Sequence, residues 1–283
     1  MGERPEPHKL KVPGTELQYV EQGQEHSVPV VFVHGGLGDF RTWSGQMRPF
    51  AERYHAISYS RRLHYPNSFT PDPAGTPMRR HVEDLAILLK EVARSRAHIV
   101  ANSYGGYISL LVAREQPELV RSLALAEPPV HPILRSVPGG EELFQEFMAG
   151  AWRPAGEAFE GGDLTEGVRL FIEGAVGTGA FNALPARVKE GMMKNAPELG
   201  VGTATPYADY MPAFTCEDAA QIQAPTLLMY GELSPRMYYV INDELARCLP
   251  HAEKAIIPDA AHVLHSQNPA DHNRIVLDFL ARH

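Results

Sequence analysis

One stretch fixes the fold class of this chain: Ala97-His98-Ile99-Val100-Ala101-Asn102-Ser103-Tyr104-Gly105-Gly106-Tyr107-Ile108-Ser109-Leu110-Leu111, in which a short β-branched run meets a serine, two glycines and an amphipathic segment. It reads as strand, sharp turn and helix. A serine set on so tight a turn takes a strained backbone conformation, and the residues two before and two after it must be small to avoid clashing. Ala101 and Gly105 meet that demand. The turn presents the Ser103 hydroxyl at the carboxyl end of the strand, with a helix N-terminus behind it and the Tyr104 amide free to donate to an oxyanion.

The flanking chain extends the same α/β logic. Pro29 to Val33, His55 to Tyr59, Leu119 to Ala126 and Thr226 to Tyr230 are apolar runs of strand length, as expected for strands buried on both faces. His81 to Ala93 places Val82, Leu85, Ala86, Leu88, Leu89 and Val92 at helical spacing just before the elbow strand, so strand, helix and strand form a right-handed parallel crossover. Leu10 to Val12 and Leu17 to Glu21, joined by Pro13-Gly14-Thr15, read as a hairpin at the outer antiparallel edge. Residues 66–77 hold Pro66, Pro71, Pro73 and Pro77 and read as an irregular surface loop.

From Pro129 to about Ile222 the alternation lapses into helical pieces, Glu141 to Met148, Leu164 to Phe171 and Ala186 to Lys194, interrupted by Gly and Pro. The core resumes at Pro225, with a helix around Asn242 to Cys248, a strand from Lys254 to Ile257 and a closing helix from Ile275 to Leu280. The expected organisation is one mostly parallel twisted sheet flanked by helices, with core parts 1–128 and 223–283 separated by a helical insertion, 129–222.

Composition narrows the function classes. Asp and Glu number 34 against 26 Lys and Arg, a net charge of -8 that gives no reason to expect nucleic acid as a partner. The two cysteines, Cys216 and Cys248, are too few for a disulfide framework and lack metal-ligand spacing, so plain thiols are expected. The leader Met1 to His8 lacks an apolar signal core, and no run approaches the roughly 20 apolar residues of a membrane span. The expectation is a cytoplasmic protein with a small-molecule substrate, no membrane partner, no metal and no organic cofactor. The oligomeric state is left open.

The elbow resembles the G-x-S-x-G motif of the α/β-hydrolase family, with Ala101 in place of the first glycine. His34-Gly35-Gly36 after the first parallel strand is similar to that family's oxyanion loop, which implies that the Gly36 amide joins the Tyr104 amide as a donor. A serine nucleophile needs a base, and the base needs a carboxylate to fix its tautomer and stabilise its cation. His262 lies in Ile257-Pro258-Asp259-Ala260-Ala261-His262, after the last strand and before Asn268-Pro269, and matches the family's histidine loop. His265 is its lesser rival, and His34 is expected to support the oxyanion loop.

The acid departs from the common pattern. Most α/β-hydrolases carry it as the aspartate of Gly-x-x-Asp after the strand that follows the insertion, where this chain has Gly231-Glu232-Leu233-Ser234. Ser234 cannot carry the negative charge that supports an imidazolium. Certain haloalkane dehalogenases and the zearalenone-type lactonases instead place the acid at the end of the strand after the elbow helix. Glu127 in Ala124-Leu125-Ala126-Glu127-Pro128-Pro129 stands there, so the resemblance implies the triad Ser103, Glu127, His262. Glu232 is the alternative acid, and Ser234→Ala is expected to do little.

Ser103 argues against the aspartate-nucleophile chemistry of dehalogenases and epoxide hydrolases on this scaffold. The resemblance implies hydrolysis of a carboxylic ester or lactone of a small, moderately apolar molecule through an acyl-enzyme. The alternatives are a carbon–carbon bond hydrolase or cofactor-free oxygenase, and a non-catalytic small-molecule receptor. Pocket candidates are His34, Trp152 and Arg61. The pair Arg61-Arg62 lies where the family usually has an Asp-x-Arg-Gly-x-Gly-like loop, and either binds an acidic group of the substrate or, as expected here, pins the loop. Trp43 is expected in the core. Phe144, Phe147, Met148, Trp152, Phe171, Met192 and Met193 serve either a substrate pocket or the insertion's own packing.

Overall fold

The computed structural model describes residues 6–71 and 77–283. Most of the leader, and the part of the proline-rich loop that includes Pro73, lie outside the described residues. The apolar runs become eight strands: β1 (His8–Val12), β2 (Thr15–Gln22), β3 (Pro29–Val33), β4 (His55–Tyr59), β5 (Ala97–Asn102), β6 (Val120–Ala126), β7 (Thr226–Gly231) and β8 (Ala252–Ile257). They form one sheet in the order β1-β2-β4-β3-β5-β6-β7-β8. The hairpin β1–β2 is antiparallel and pairs antiparallel with β4, while β4-β3-β5-β6-β7-β8 is parallel throughout. Every residue of β3, β4, β5 and β7 is buried, because helices cover both faces.

Successive strand side chains point to opposite faces, and the core divides accordingly. Val31, Val33, Ile99 and Leu125 pack with α2 (Met78–Leu88), α3 (Tyr104–Glu115) and the Arg236–Cys248 helix. Val30, Phe32, Val100 and Ala124 pack with α1 (Ser44–Ala51) and the closing Pro269–Leu280 helix. Trp43 belongs to this second layer, fully buried with its ring centroid 5.2 Å from that of Phe32.

Between β6 and β7 the described regular elements are all helical, the longest being Leu164–Val176 and Ala186–Ala204. Glycine and proline interrupt these helices less than the sequence suggests. The Ala186–Ala204 helix continues ten residues beyond Lys194 and runs through Pro197, Gly200 and Gly202. Gly202 serves close approach rather than chain reversal, since a Cβ there would sit 2.6 Å from the Tyr210 ring. No described helix is long and apolar enough to cross a membrane.

The expected free thiols require correction. Cys216, opening the short Cys216–Ala220 helix, is disulfide-bonded to Cys248 at the end of the Arg236–Cys248 helix, 32 residues away. The two helices pack together on one face of the sheet, a juxtaposition that spacing along the chain does not reveal.

Candidate active site

The elbow forms at the junction of β5 and α3. Ser103 has φ 51° and ψ -127°, the strained conformation that the tight turn demands. Its amide donates to the Ala126 carbonyl at 2.7 Å, and its carbonyl accepts from the Gly106 amide at 2.7 Å. Gly105 is required by contact: a Cβ there would lie 2.5 Å from the Val33 carbonyl oxygen and 2.6 Å from that of His34. Tyr104 is the first residue of α3, where an amide has no acceptor within the helix.

Glu127 follows directly on β6, fully buried and with φ 48°. Its amide donates to the Met229 carbonyl at 3.0 Å, which fixes it between β5 and β7. One carboxylate oxygen, Oε2, lies 2.6 Å from His262 Nδ1. The other, Oε1, accepts from the Gly231 amide at 2.9 Å and from the Ser234 hydroxyl. Ser234 therefore takes part in the constellation after all: it stands where the family resemblance looks for an acid, and its hydroxyl donates to the Glu127 carboxylate. That contact is one that Ser234→Ala would break, against the expectation that the substitution does little. Glu232, the alternative acid, points away and accepts from the Asp259 amide at 3.1 Å.

His262 is held from three sides. Glu127 engages Nδ1, the Tyr238 ring stacks on the imidazole at 4.4 Å, and the Asn102 side-chain amide donates to the His262 carbonyl at 3.1 Å. Asn102 adjoins Ser103, so the base loop is tied to the elbow itself. His265 is buried elsewhere, its ring 4.3 Å from that of Trp43.

A cavity of about 40 Å³ opens over Ser103. The core contributes Gly36, Tyr104 and Tyr238 to its wall, and the inserted helices contribute Phe147, Trp152 and Phe171. The other apolar residues singled out from the insertion do not line it: Met148 is buried in the core and Phe144, Met192 and Met193 pack against that core partly buried. Neither Tyr238 nor the wall residues Tyr207 and Tyr210 carry a signal in the sequence, because lone tyrosines in a region without periodicity look like any others.

His34 and Arg61, proposed from sequence as pocket residues, sit behind the wall, both fully buried. His34 Nδ1 donates to the Gly35 carbonyl at 2.8 Å and Nε2 accepts from the Arg61 amide at 3.0 Å. Burial holds its pKa well below the ordinary value, which suits a neutral ring in those two roles. The Arg61 guanidinium donates to the carbonyls of His34 at 3.3 Å and Gly35 at 3.0 Å, gripping the backbone next to Gly36. Its charge faces Glu198 of the Ala186–Ala204 helix at 3.9 Å, and His64 lies 3.2 Å from the same carboxylate. The arginine pair thus pins the loop, with Arg62 bridging bidentately to Asp84 at 2.6 and 2.7 Å.

Strand order, elbow and flanking helices together define the α/β-hydrolase class. A family model described as the alpha/beta hydrolase fold matches residues 28–269, and the chain belongs to that family. Among curated proteins, it is 26% identical over 291 residues to the dihydrolipoyllysine-residue acetyltransferase component of the acetoin cleaving system of Pseudomonas putida, covering 99% of this chain and 70% of that protein. It is 23% identical over 305 residues to the sn-1-specific diacylglycerol lipase ABHD11 of Mus musculus, covering 97% of this chain and 94% of that one. Among solved structures, Est816, described as an N-acyl homoserine lactone degrading enzyme, superposes with a TM-score of 0.76 at 24% identity, covering 96% of this chain and all of that one.

Proposed function

We propose that this protein is a serine hydrolase of carboxylic esters or lactones of small, moderately apolar molecules. The observation that carries the reading is the 2.6 Å contact between Glu127 and His262 Nδ1 beside a serine on a strained elbow. In this reading the carboxylate holds the imidazole with its proton on Nδ1, so that Nε2 takes the Ser103 proton as the oxygen attacks a carbonyl. The amides of Gly36 and Tyr104 receive the oxyanion, His262 protonates the leaving group, and water activated by the same imidazole hydrolyses the acyl-enzyme. Residues 129–222 act as a cap, whose Phe147, Trp152 and Phe171 close the cavity against water. The small cavity and its aromatic wall support a compact substrate, and two esterases and an N-acyl homoserine lactone degrading enzyme stand among the structural relatives. A cytoplasmic placement is the expectation from sequence; the Cys216–Cys248 bond weighs against it, because structural disulfides persist mainly in oxidising compartments.

The test is hydrolysis of a p-nitrophenyl ester panel, with a fluorophosphonate probe reporting on Ser103. Wild type is expected to turn over and to label, Ser103→Ala to do neither, and Glu127→Gln to lose about three to four orders of magnitude in kcat. Turnover of other substrate classes without labelling would favour the carbon–carbon hydrolase or oxygenase alternative. Full activity in Glu127→Gln together with loss in Glu232→Gln would overturn the acid assignment.

A further inference from the structure

His131 opens the short helical turn His131–Ser136, four residues beyond Glu127, and the mechanism above gives it no task. His131 lines the cavity over Ser103 and is only 5% exposed, and its imidazole packs 4.7 Å from the Phe147 ring. Nδ1 lies 2.6 Å from the Tyr207 hydroxyl, whereas Nε2 is buried without a hydrogen-bond partner. Among the described residues, His131 is the one cavity-lining residue with a buried polar side-chain atom left unpartnered. Such atoms are rare because an unmade hydrogen bond in the interior is costly, and a binding cavity is where a ligand can complete one.

Burial pushes the His131 pKa down to about 3, so the ring is neutral near neutral pH and carries one proton. Nδ1 and the Tyr207 hydroxyl share one hydrogen bond; with the hydroxyl donating, the ring proton sits on Nε2. Tyr104, the neighbouring wall tyrosine, spends its own hydroxyl on the Tyr210 carbonyl at 3.0 Å.

We infer that the Nε2–H of His131 is the substrate-recognition donor of this cavity, hydrogen-bonding a carbonyl or ether oxygen that the substrate carries apart from its scissile ester. Oxo- or alkoxy-substituted esters and lactones are therefore selected over plain alkyl ones, since a site with a committed donor rejects the analogue that lacks the acceptor. Tyr207 is a positioning residue that sets the tautomer. The substrate class named here rests on the ester-hydrolase reading; the donor itself does not.

A binding experiment separates the two. Ser103→Ala protein, lacking the proposed nucleophile, is titrated with methyl acetoacetate against methyl butyrate, and with methyl levulinate against methyl pentanoate, following the fluorescence of Trp152 in the cavity wall. At least one oxo ester is expected to bind about tenfold more tightly than its match, as one hydrogen bond gives. That preference is lost on adding His131→Phe and weakened on adding Tyr207→Phe. His131→Gln, which keeps an N–H donor, retains part of it and shows that loss in His131→Phe is not collapse of the wall. Equal affinities within both pairs, or a preference that survives His131→Phe, would overturn the inference. Discrimination in binding without ester turnover by wild type refutes the hydrolase reading and leaves the donor standing; turnover without discrimination does the reverse.

Discussion

Acidification from about pH 7 to about pH 5 is expected to remove most of the stability of this protein, through histidines buried in neutral form. His98, His131, His265 and His272 are each 5% exposed or less, and burial pushes their pKa values down to about 4, 3, 3 and 4. In the unfolded chain each titrates near 6.5. The unfolded state therefore binds more protons than the native state once the pH falls through that value, and stability declines until the native values near 3 to 4 are reached. Between about pH 7 and pH 5 the loss is about 1.9 kcal/mol per histidine, so about 7.5 kcal/mol for the four. That is comparable with the whole stability of a typical domain, about 5–15 kcal/mol. His34, His64 and His81 are likewise held below their ordinary value by burial and steepen the decline.

Urea unfolding midpoints measured across this range, converted to free energy, give the proton uptake directly from the slope. About four or more protons are expected near pH 5. His272→Gln, on the closing helix away from the cavity, should lower the uptake by about one. Stability that stays level over the range, or an uptake unchanged in His272→Gln, would refute the reasoning.

Two more expectations concern single contacts. Ser234→Ala removes a hydrogen bond to the buried Glu127 carboxylate and should cost about 1.5–3 kcal/mol of stability, with about a tenfold fall in kcat, read by thermal unfolding and ester turnover side by side; wild-type values in both assays would mean that the Gly231 amide alone suffices. Reduction of Cys216–Cys248, which closes a loop of 32 residues, should cost about 3–4 kcal/mol and lower Tm by several degrees, while a Cys216→Ser/Cys248→Ser variant shows no response to dithiothreitol.

Most of the scaffold was legible because it is written in local patterns. Buried parallel strands read as unbroken apolar runs, and the serine turn needs small residues at fixed offsets, so β3 to β7 and the elbow could be placed along the chain. Glu127 came through the family resemblance, once the serine at 234 left the usual acid position without a charge. What escaped depends on distant parts of the chain meeting. The Cys216–Cys248 bond, the stacking of Tyr238 on His262 and the place of His131 against Tyr207 join residues that nothing in the sequence pairs. Gly202 misled because glycine signals both a broken helix and a close contact, and only the neighbour, here Tyr210, decides which.

In the proposed triad, an acid placed directly after β6 also divides the chain unevenly in time. Ser103 and Glu127 lie 24 residues apart within one strand-helix-strand unit, joined already by the bond from the Ser103 amide to the Ala126 carbonyl. The base comes from 135 residues beyond the acid, after the whole inserted segment has been made. Contacts of that span form late, once loop closure has been compensated by packing. Nucleophile and acid can thus assemble as a local piece while the imidazole arrives only when the last third of the molecule docks, so recovery of enzymatic turnover during refolding times that docking step rather than formation of the sheet's centre.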